Sequence, residues 1–151
     1  MNIFIDTNVI LENFLQREDY DVAHRLFETL EQQQHTLFMS SGSFYTMVFL
    51  VDRYLKKVHG MVGDDRLFAL RQIMSSILRS IIVAGHDNAS LLRGLNNVRF
   101  KDVEDGCQYE LAIKSGCNLL LTFNSSDYPN DEDAVVKVLT PAAYLNAYSQ
   151  R

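Results

Sequence analysis

The sequence predicts an α/β protein in which a mainly parallel, five-stranded sheet lies between two layers of helices, a three-layer α/β/α sandwich. Short apolar runs alternate with helical segments along the 151 residues, as parallel sheets require. These runs are apolar at consecutive positions, which is typical of strands buried on both faces. No linker or internal repeat interrupts the chain, and Pro129 and Pro141 both lie near its C-terminus. We therefore predict a single domain over residues 1–151.

The segments up to residue 58 predict two strands and three helices. The run NIFID is short and rich in isoleucine and phenylalanine, which favours a buried strand. Asp6 or Thr7 can cap the helix that follows it. The second helix has apolar residues along one face, whereas the third is apolar over an unusually wide face. In order, the elements are a strand at 2–6, helices at 8–15 and 19–34, a strand at 36–40 and a helix at 43–58.

The remainder of the chain continues the alternation and carries clear helix boundaries. Gly116 is a stop signal for the helix before it. Thr140 followed by Pro141 is a strong start signal, since threonine caps a helix and proline suits its first position. The predicted elements are a helix at 64–78, a strand at 80–84, helices at 87–98 and 102–116, strands at 118–123 and 134–139, and a helix at 140–149.

Carboxylates and amides lie where ligands bind in such sheets, beyond the carboxyl ends of the strands. Asp6 ends the first strand, Asn124 and Asp127 follow the fourth, and Asp105 lies at the entry to the helix before it. Clustered carboxylates repel one another, and Mg²⁺ or Mn²⁺ offsets this repulsion with oxygen ligands. We predict that Asp6, Asp105 and Asp127 bind such an ion, directly or through water, while Thr7 and Asn124 orient a water, a phosphate or a carboxylate.

Each of these acids also has a purely structural interpretation. Asp6 can simply cap the helix at 8–15, and Asp127 can be a turn residue before Pro129. Asp102 and Asp105 are spaced as the cap and third residue of one helix, so we predict capping for Asp102 and ligation for Asp105. The combination is more informative than any single member.

The net charge of −5 hides an uneven distribution. Residues 53–101 carry nine basic and three acidic side chains, between two acidic segments. This pattern indicates either an ordinary surface with uneven charge or an acidic pocket beside a basic face. The second arrangement would suit a metal site that acts on a phosphodiester. The candidate cations for a phosphate-binding face are Arg53, Lys56, Lys57, Arg71, Arg79, Arg93 and Arg99.

Several other classes of protein are disfavoured. Cys107 and Cys117 are too few for a disulfide framework, so we expect reduced thiols in the cytosol. No apolar run approaches the roughly 20 residues that cross a bilayer, and no signal peptide is recognisable, which favours a cytoplasmic protein without membrane contact. No histidine pair has zinc-helix spacing, and no phosphate-binding glycine loop is present. Tyr45, Phe49 and Tyr54 are predicted to be core or interface residues, and part of the 44–58 helix to meet a second subunit or a partner.

Three stretches, FIDTNVILENFL, FKDVEDGCQYELAIKSGCNLLLTFNSSDY and VLTPAAYL, resemble the PIN-domain family of metal-dependent ribonucleases. This family includes the VapC-like toxins of prokaryotic toxin–antitoxin pairs, and the resemblance spans nearly the whole chain. It implies that Asp6, Asp105 and Asp127 are metal-binding acids and that Asn124 is the polar residue of the segment after the fourth strand. It also implies Mg²⁺ or Mn²⁺ as cofactor, RNA as substrate, a possible antitoxin partner and a homodimer.

The sequence departs from the family pattern at two places. Many members have a glutamate in the helix after the second strand, but residues 40–47 contain no acid. One branch of the family has an extra acid after the first strand instead, and Glu12 would fill that role here. Phe123 stands where an arginine is common. Three carboxylates can still hold one ion well, whereas a second ion would be bound weakly. Further supporting candidates are Thr7, Asn8, Ser40, which can touch a phosphate or begin a helix, and Asp102.

Three functions are therefore compared. The leading hypothesis is a metal-dependent ribonuclease that is the toxin of a toxin–antitoxin pair. The alternative is a catalytically weak or inactive PIN-like module that binds RNA or protein, motivated by the absent glutamate and by Phe123. A phosphatase or another phosphoryl-transfer hydrolase is the third, disfavoured by the missing phosphate-binding loop and by the basic middle segment.

Overall fold

The computed structural model describes residues 1–129 and 131–148. Each predicted strand and helix forms, with ends that shift by at most three residues; the predicted last residue of the final helix, Ser149, lies outside the described residues. The strands are β1 (Asn2–Ile5), β2 (Thr36–Ser40), β3 (Ile82–Ala84), β4 (Leu119–Leu121) and β5 (Lys137–Leu139). The helices are α1 (Thr7–Phe14), α2 (Tyr20–Gln32), α3 (Ser41–Lys57), α4 (Gly63–Ser80), α5 (Asn88–Asn96), α6 (Val103–Lys114) and α7 (Pro141–Tyr148), with a short 3₁₀ helix at Ser125–Asp127.

The five strands form one sheet in the order β3-β2-β1-β4-β5, and all four pairings are parallel. The predicted α/β/α sandwich is thereby confirmed. β1 lies at the centre, and its partners across the two sides are β2 and β4. Because Ile5 is in register with Leu121, the residues that follow β1 and β4 come out of the sheet side by side.

Two apolar cores cover the opposite faces of the sheet. Ile3 and Ile5 belong to one core and Phe4 to the other, since successive side chains of a strand point to opposite faces. All three are completely buried, as a central parallel strand requires. The same expectation is wrong for β3, where Ile82 and Val83 are 52% and 39% exposed. β3 is exposed because it lies at the edge of the sheet, and its apolar sequence does not indicate that position.

Two other sequence expectations can be compared with the fold. Both cysteines are free thiols, as predicted. In the part of the chain that the structure describes, no helix combines the length and apolar character needed to span a membrane.

Helices α5 and α6 approach each other closely at Gly94. A methyl group on Gly94 would lie 2.6 Å from the Cα atom of Cys107, a distance that only backbone movement can relieve. We expect Gly94→Ala to lower the free energy of unfolding by about 2 kcal/mol, as for other overpacked sites. Gly85→Ala is the matched control, because a methyl group there meets nothing within 4 Å. Urea denaturation of both variants measures the difference, and equal stabilities would contradict this packing.

Candidate active site

Asp6 is held at the end of β1 by the neighbouring strand β4. Its backbone N–H donates to the carbonyl of Leu121 at 3.0 Å, and its Oδ2 accepts a 2.7 Å hydrogen bond from the hydroxyl of Thr122. Asp6 occupies the cap position of α1, but its side chain makes no capping hydrogen bond. The helix-capping interpretation therefore leaves the buried carboxylate of Asp6 unexplained.

Thr122 is the centre of a small hydrogen-bond network behind Asp6. This threonine is completely buried, and its hydroxyl accepts from the side-chain amide of Asn8 at 3.4 Å and from the backbone N–H of Asn124 at 3.1 Å. Asn8 in turn accepts from the N–H of Phe123 at 3.4 Å. The network ties the turn after β1 to the turn after β4. Thr122 was not among the predicted site residues, although its position directly after β4 was a usable signal.

The first turn of α6 brings a second carboxylate to the same place. Asp102 caps this helix by accepting from the N–H of Glu104 at 2.7 Å, which confirms its predicted role. Asp105 is the third helical residue and is half-buried. The hydroxyl of Tyr128 donates to its Oδ1 at 3.3 Å. Burial and the charges of Asp6 and Asp105 raise the pKa of Tyr128, so this phenol stays protonated and remains a donor.

The electrostatics of the two carboxylates are unfavourable without a cation. Burial raises the pKa of Asp6, and the hydrogen bond from Thr122 opposes this effect. Burial, followed by the charges of Asp6, Asp102 and Asp127, raises the pKa of Asp105 to about 6. Both shifts mean that the folded protein disfavours the charged carboxylates. A bound divalent cation would remove this penalty, because it favours the charged form of each acid.

Asp6 and Asp105 line one open cavity at the carboxyl ends of β1 and β4. Thr7, Asn8, Gln108 and Asn124 also line it, and Asp102 and Glu104 extend its acidic wall. Gln108 lies one turn after Asp105 in α6, so the two side chains share a helix face. Gln108 was missed in the sequence, although its spacing of three residues from Asp105 was the available signal.

The residues in this cavity fit a hard divalent cation. Thr7 Oγ1 and Gln108 Oε1 are both buried and have no hydrogen-bond partner, so each can offer a neutral oxygen. Among the described residues, no three histidine, cysteine, aspartate or glutamate side chains lie close enough together to hold a metal. Two carboxylates, neutral oxygens and waters are nevertheless an ordinary donor set for Mg²⁺, which keeps several of its waters.

The structure does not bring every predicted site residue into the cavity. Asp127 lies in the exposed 3₁₀ helix; its charge acts on Asp105, but it does not line the cavity. Glu12 is buried and accepts from the N–H of Asp19 at 2.9 Å, and its other oxygen lies 3.4 Å from Arg17 Nε. Ser40 caps α3 through the N–H of Gly42 at 3.0 Å, which confirms the helix-start alternative.

The charge of Asp105 is expected to cost stability when no metal is bound. Its pKa of about 6 in the folded protein exceeds the ordinary value of 3.8, so this cost develops as the pH rises through that interval. At pH 7.5 in chelator, the free energy of unfolding of Asp105→Asn should therefore be about 1 kcal/mol higher than that of the wild type. This value discounts the pKa shift for solvent screening.

Denaturant unfolding at two pH values tests this expectation. Most of the advantage of Asp105→Asn should disappear near pH 3.5, where the carboxyl group is protonated in the folded state and largely protonated in the unfolded state. Asp133→Asn, at an exposed turn, is the control and should show no such pH-dependent advantage. A destabilised Asp105→Asn at neutral pH would show that this carboxylate is structural.

Comparison with known proteins agrees with the fold. A family model described as "PIN domain" matches residues 2–126. A similar protein, "Ribonuclease VapC1" of Aquifex aeolicus (strain VF5), is 27% identical over 152 residues, which cover 97% of this chain and 95% of that protein. A chain in the crystal structure of VapBC2 from Rickettsia felis, bound to a DNA fragment from their promoter, superposes with a TM-score of 0.64. That match covers 93% of this chain and 98% of the other at 13% identity, so it supports the fold alone.

Proposed function

Because this chain belongs to the PIN-domain family, we propose that it is a Mg²⁺- or Mn²⁺-dependent endoribonuclease and the toxin of a toxin–antitoxin pair. One observation carries the proposal: two carboxylates with raised pKa values and two unpartnered buried oxygens line one cavity at the carboxyl ends of β1 and β4. The name of a similar protein, "Ribonuclease VapC1", supports the substrate class, and the resemblance of the sequence to the VapC-like toxins supports the biological role.

The side chains of the cavity have separate tasks in this proposal. Asp6 and Asp105 hold the ion, and Gln108 and Thr7 offer neutral oxygens to it or to its waters. When bound, the ion supplies Lewis-acid stabilisation of the phosphate and favours ionisation of a water nucleophile. Asn124, exposed at the mouth of the cavity, orients the phosphate or the attacking water. Asp127 adds negative charge from outside the cavity and can act through water.

Residues behind the cavity keep the carboxylates in place. Thr122 donates to Asp6, Tyr128 donates to Asp105, and Asn8 joins the two strand ends. Such partners fix the orientation of metal-binding side chains and tune their affinity. Hydrolysis then requires that water attack the phosphorus in line with the leaving oxygen, while the protein supplies orientation and charge.

The proposal also includes partners for the exposed apolar face of the helices α3 and α4. Tyr45 and Phe49 lie one turn apart on α3 and are 75% and 64% exposed, and Phe68 on α4 is 64% exposed. Exposed apolar patches mark interaction surfaces, and aromatic side chains are enriched in protein interfaces. We assign this face to a second subunit or to an antitoxin. Tyr54 differs, since its hydroxyl donates to the carbonyl of Leu15 at 3.0 Å.

The rival function is a PIN-like module that binds RNA or protein with little or no catalysis. It is favoured because, among the described residues, no group of three histidine, cysteine, aspartate or glutamate side chains is arranged to hold a metal ion. Calorimetric titration with Mn²⁺ and cleavage of a mixed RNA pool separate the two functions. The ribonuclease proposal expects metal binding and cleavage that a chelator stops. No heat of binding at millimolar Mn²⁺ together with intact RNA would favour the rival.

A further inference from the structure

A second depression, here called the basic groove, adjoins the candidate active site between α1 and α3. The acidic cavity and the basic groove share the lining residues Leu11, Arg17 and Leu50. Leu15, Tyr54 and Val58 complete its apolar lining. The two depressions therefore form one continuous surface, with Arg17 at the point where they meet.

The apolar floor of the basic groove is rigid. Leu11 and Leu15 are almost completely buried, at 2% and 6% exposure, whereas the half-buried Leu50 and Tyr54 leave apolar surface accessible in the groove. The hydroxyl of Tyr54 is fixed by its 3.0 Å hydrogen bond to the carbonyl of Leu15, so the ring cannot rotate away without losing it. The floor can thus contact a flat apolar group without first becoming ordered, which lowers the entropic cost of binding.

The rim of the basic groove carries three cations, Arg17, Arg53 and Lys57, and none of its described lining residues is acidic. Arg53 and Lys57 have no ion-pair partner within the described residues, whereas the adjacent Lys56 is paired with Asp52 at 2.8 Å. Arg17 is oriented by the buried carboxylate of Glu12 and keeps 46% of its side chain exposed. In a chain of net charge −5, this is a locally positive surface.

The acidic cavity explains why such a groove is needed. Asp6, Asp102, Glu104 and Asp105 all line it, so it repels a phosphodiester unless a cation is present. Binding energy for a nucleic acid must then come from a neighbouring surface. Cations at the rim and an apolar floor match the alternating phosphates and bases of a single strand.

We propose that the basic groove binds the nucleotides of single-stranded RNA that flank the cleaved bond. Arg53 and Lys57 contact the flanking phosphates, the apolar floor contacts a base, and Arg17 contacts the phosphate that enters the acidic cavity. The proposal rests on the proposed function in taking RNA as the ligand. It makes Glu12 a positioning residue for Arg17 instead of a metal ligand, which accounts for its burial and its contacts.

The experiment compares two double variants of the whole protein that remove the same charges. The groove variant is Arg53→Gln with Lys57→Gln, and the control is Arg25→Gln with Lys137→Gln, both exposed and outside the groove. Fluorescence anisotropy with a short, labelled, mixed-sequence RNA in chelator measures affinity while cleavage is blocked. We expect the groove variant to bind about tenfold more weakly, with a salt slope lower by about 1.4, since two phosphate contacts are lost.

The outcomes separate this inference from the proposed function. A loss of affinity confined to the groove variant supports the groove, even if no protein of the series cleaves RNA. Equal losses of RNA affinity in the groove variant and the control variant would show that only net charge matters. Unchanged affinity in the groove variant would assign the groove to a protein segment. Either result overturns the inference. Cleavage of RNA by the wild type with Mn²⁺ is measured separately and reports on the ribonuclease alone. Mass measurements of all variants must agree, so that a change of oligomer does not mimic lost binding.

Discussion

Replacing Asp6 by asparagine is expected to abolish metal-dependent RNA cleavage, with a loss of roughly a thousandfold or more, because a catalytic ion contributes several kcal/mol. Asp6 is 7% exposed, lines the cavity and is fixed by Thr122 at 2.7 Å. Asparagine keeps the size and one hydrogen-bonding oxygen but removes the charge that attracts the ion. The same change removes a buried charge, so the variant should fold at least as stably in chelator.

Two measurements on Asp6→Asn make this expectation specific. Mn²⁺ should raise the melting temperature of the wild type and leave that of Asp6→Asn nearly unchanged, since an ion stabilises only a fold that binds it. Asp133→Asn, with an equal change of charge at an exposed turn, should keep both activity and the metal-induced shift. If folded Asp6→Asn still cleaves RNA in the presence of chelator, the metal-dependent mechanism is wrong.

The sequence was sufficient for the fold because local and global signals agree in this chain. β1 is apolar on both faces from Ile3 to Ile5, and α7 begins at Pro141, directly after Thr140, so each element was recognisable alone. Parallel pairing then followed from the alternation of strands and helices. The exposure of β3 was not predictable, because a short apolar strand at the edge of a sheet has the same sequence pattern as one at its centre.

The site was only partly predictable. Residues whose role follows from their position along the backbone were predicted, whereas residues whose role depends on side-chain contacts were not. Asp6 and Asp105 follow from the rule that ligands bind at the carboxyl ends of parallel strands. Thr122, Gln108 and Arg17 act through contacts with residues from other elements, which one sequence without a structure does not display. Glu12 is an example of the opposite kind. Its position after β1 suggested a metal ligand, but its carboxylate oxygens contact the N–H of Asp19 and the guanidinium of Arg17.

Thr122 is completely buried behind Asp6, and its replacement is expected to weaken the metal site although it touches no part of the expected substrate. Thr122→Val should weaken Mn²⁺ binding by about 10- to 100-fold, the range seen when partners of metal ligands are lost. Valine has nearly the shape of threonine, but it cannot donate to Asp6 or accept from Asn124. The buried carboxylate of Asp6 then loses its hydrogen bond from Thr122, and the turn after β4 loses the hydroxyl that accepts from the N–H of Asn124. Calorimetric titration with Mn²⁺ measures the affinity directly.

Thr122→Ser separates positioning from packing in this experiment. Serine keeps the hydroxyl and removes one methyl group, so it should retain most of the metal affinity while losing some stability from the small cavity. If Thr122→Ser and Thr122→Val weaken Mn²⁺ binding equally, the methyl group and not the hydrogen bond controls the site, and Thr122 is a core residue. If both variants bind Mn²⁺ as the wild type does, Asp6 needs no positioning from β4. Either result would break the link between strand order and metal affinity, because that link depends on β4 lying beside β1 and supplying the donor to Asp6.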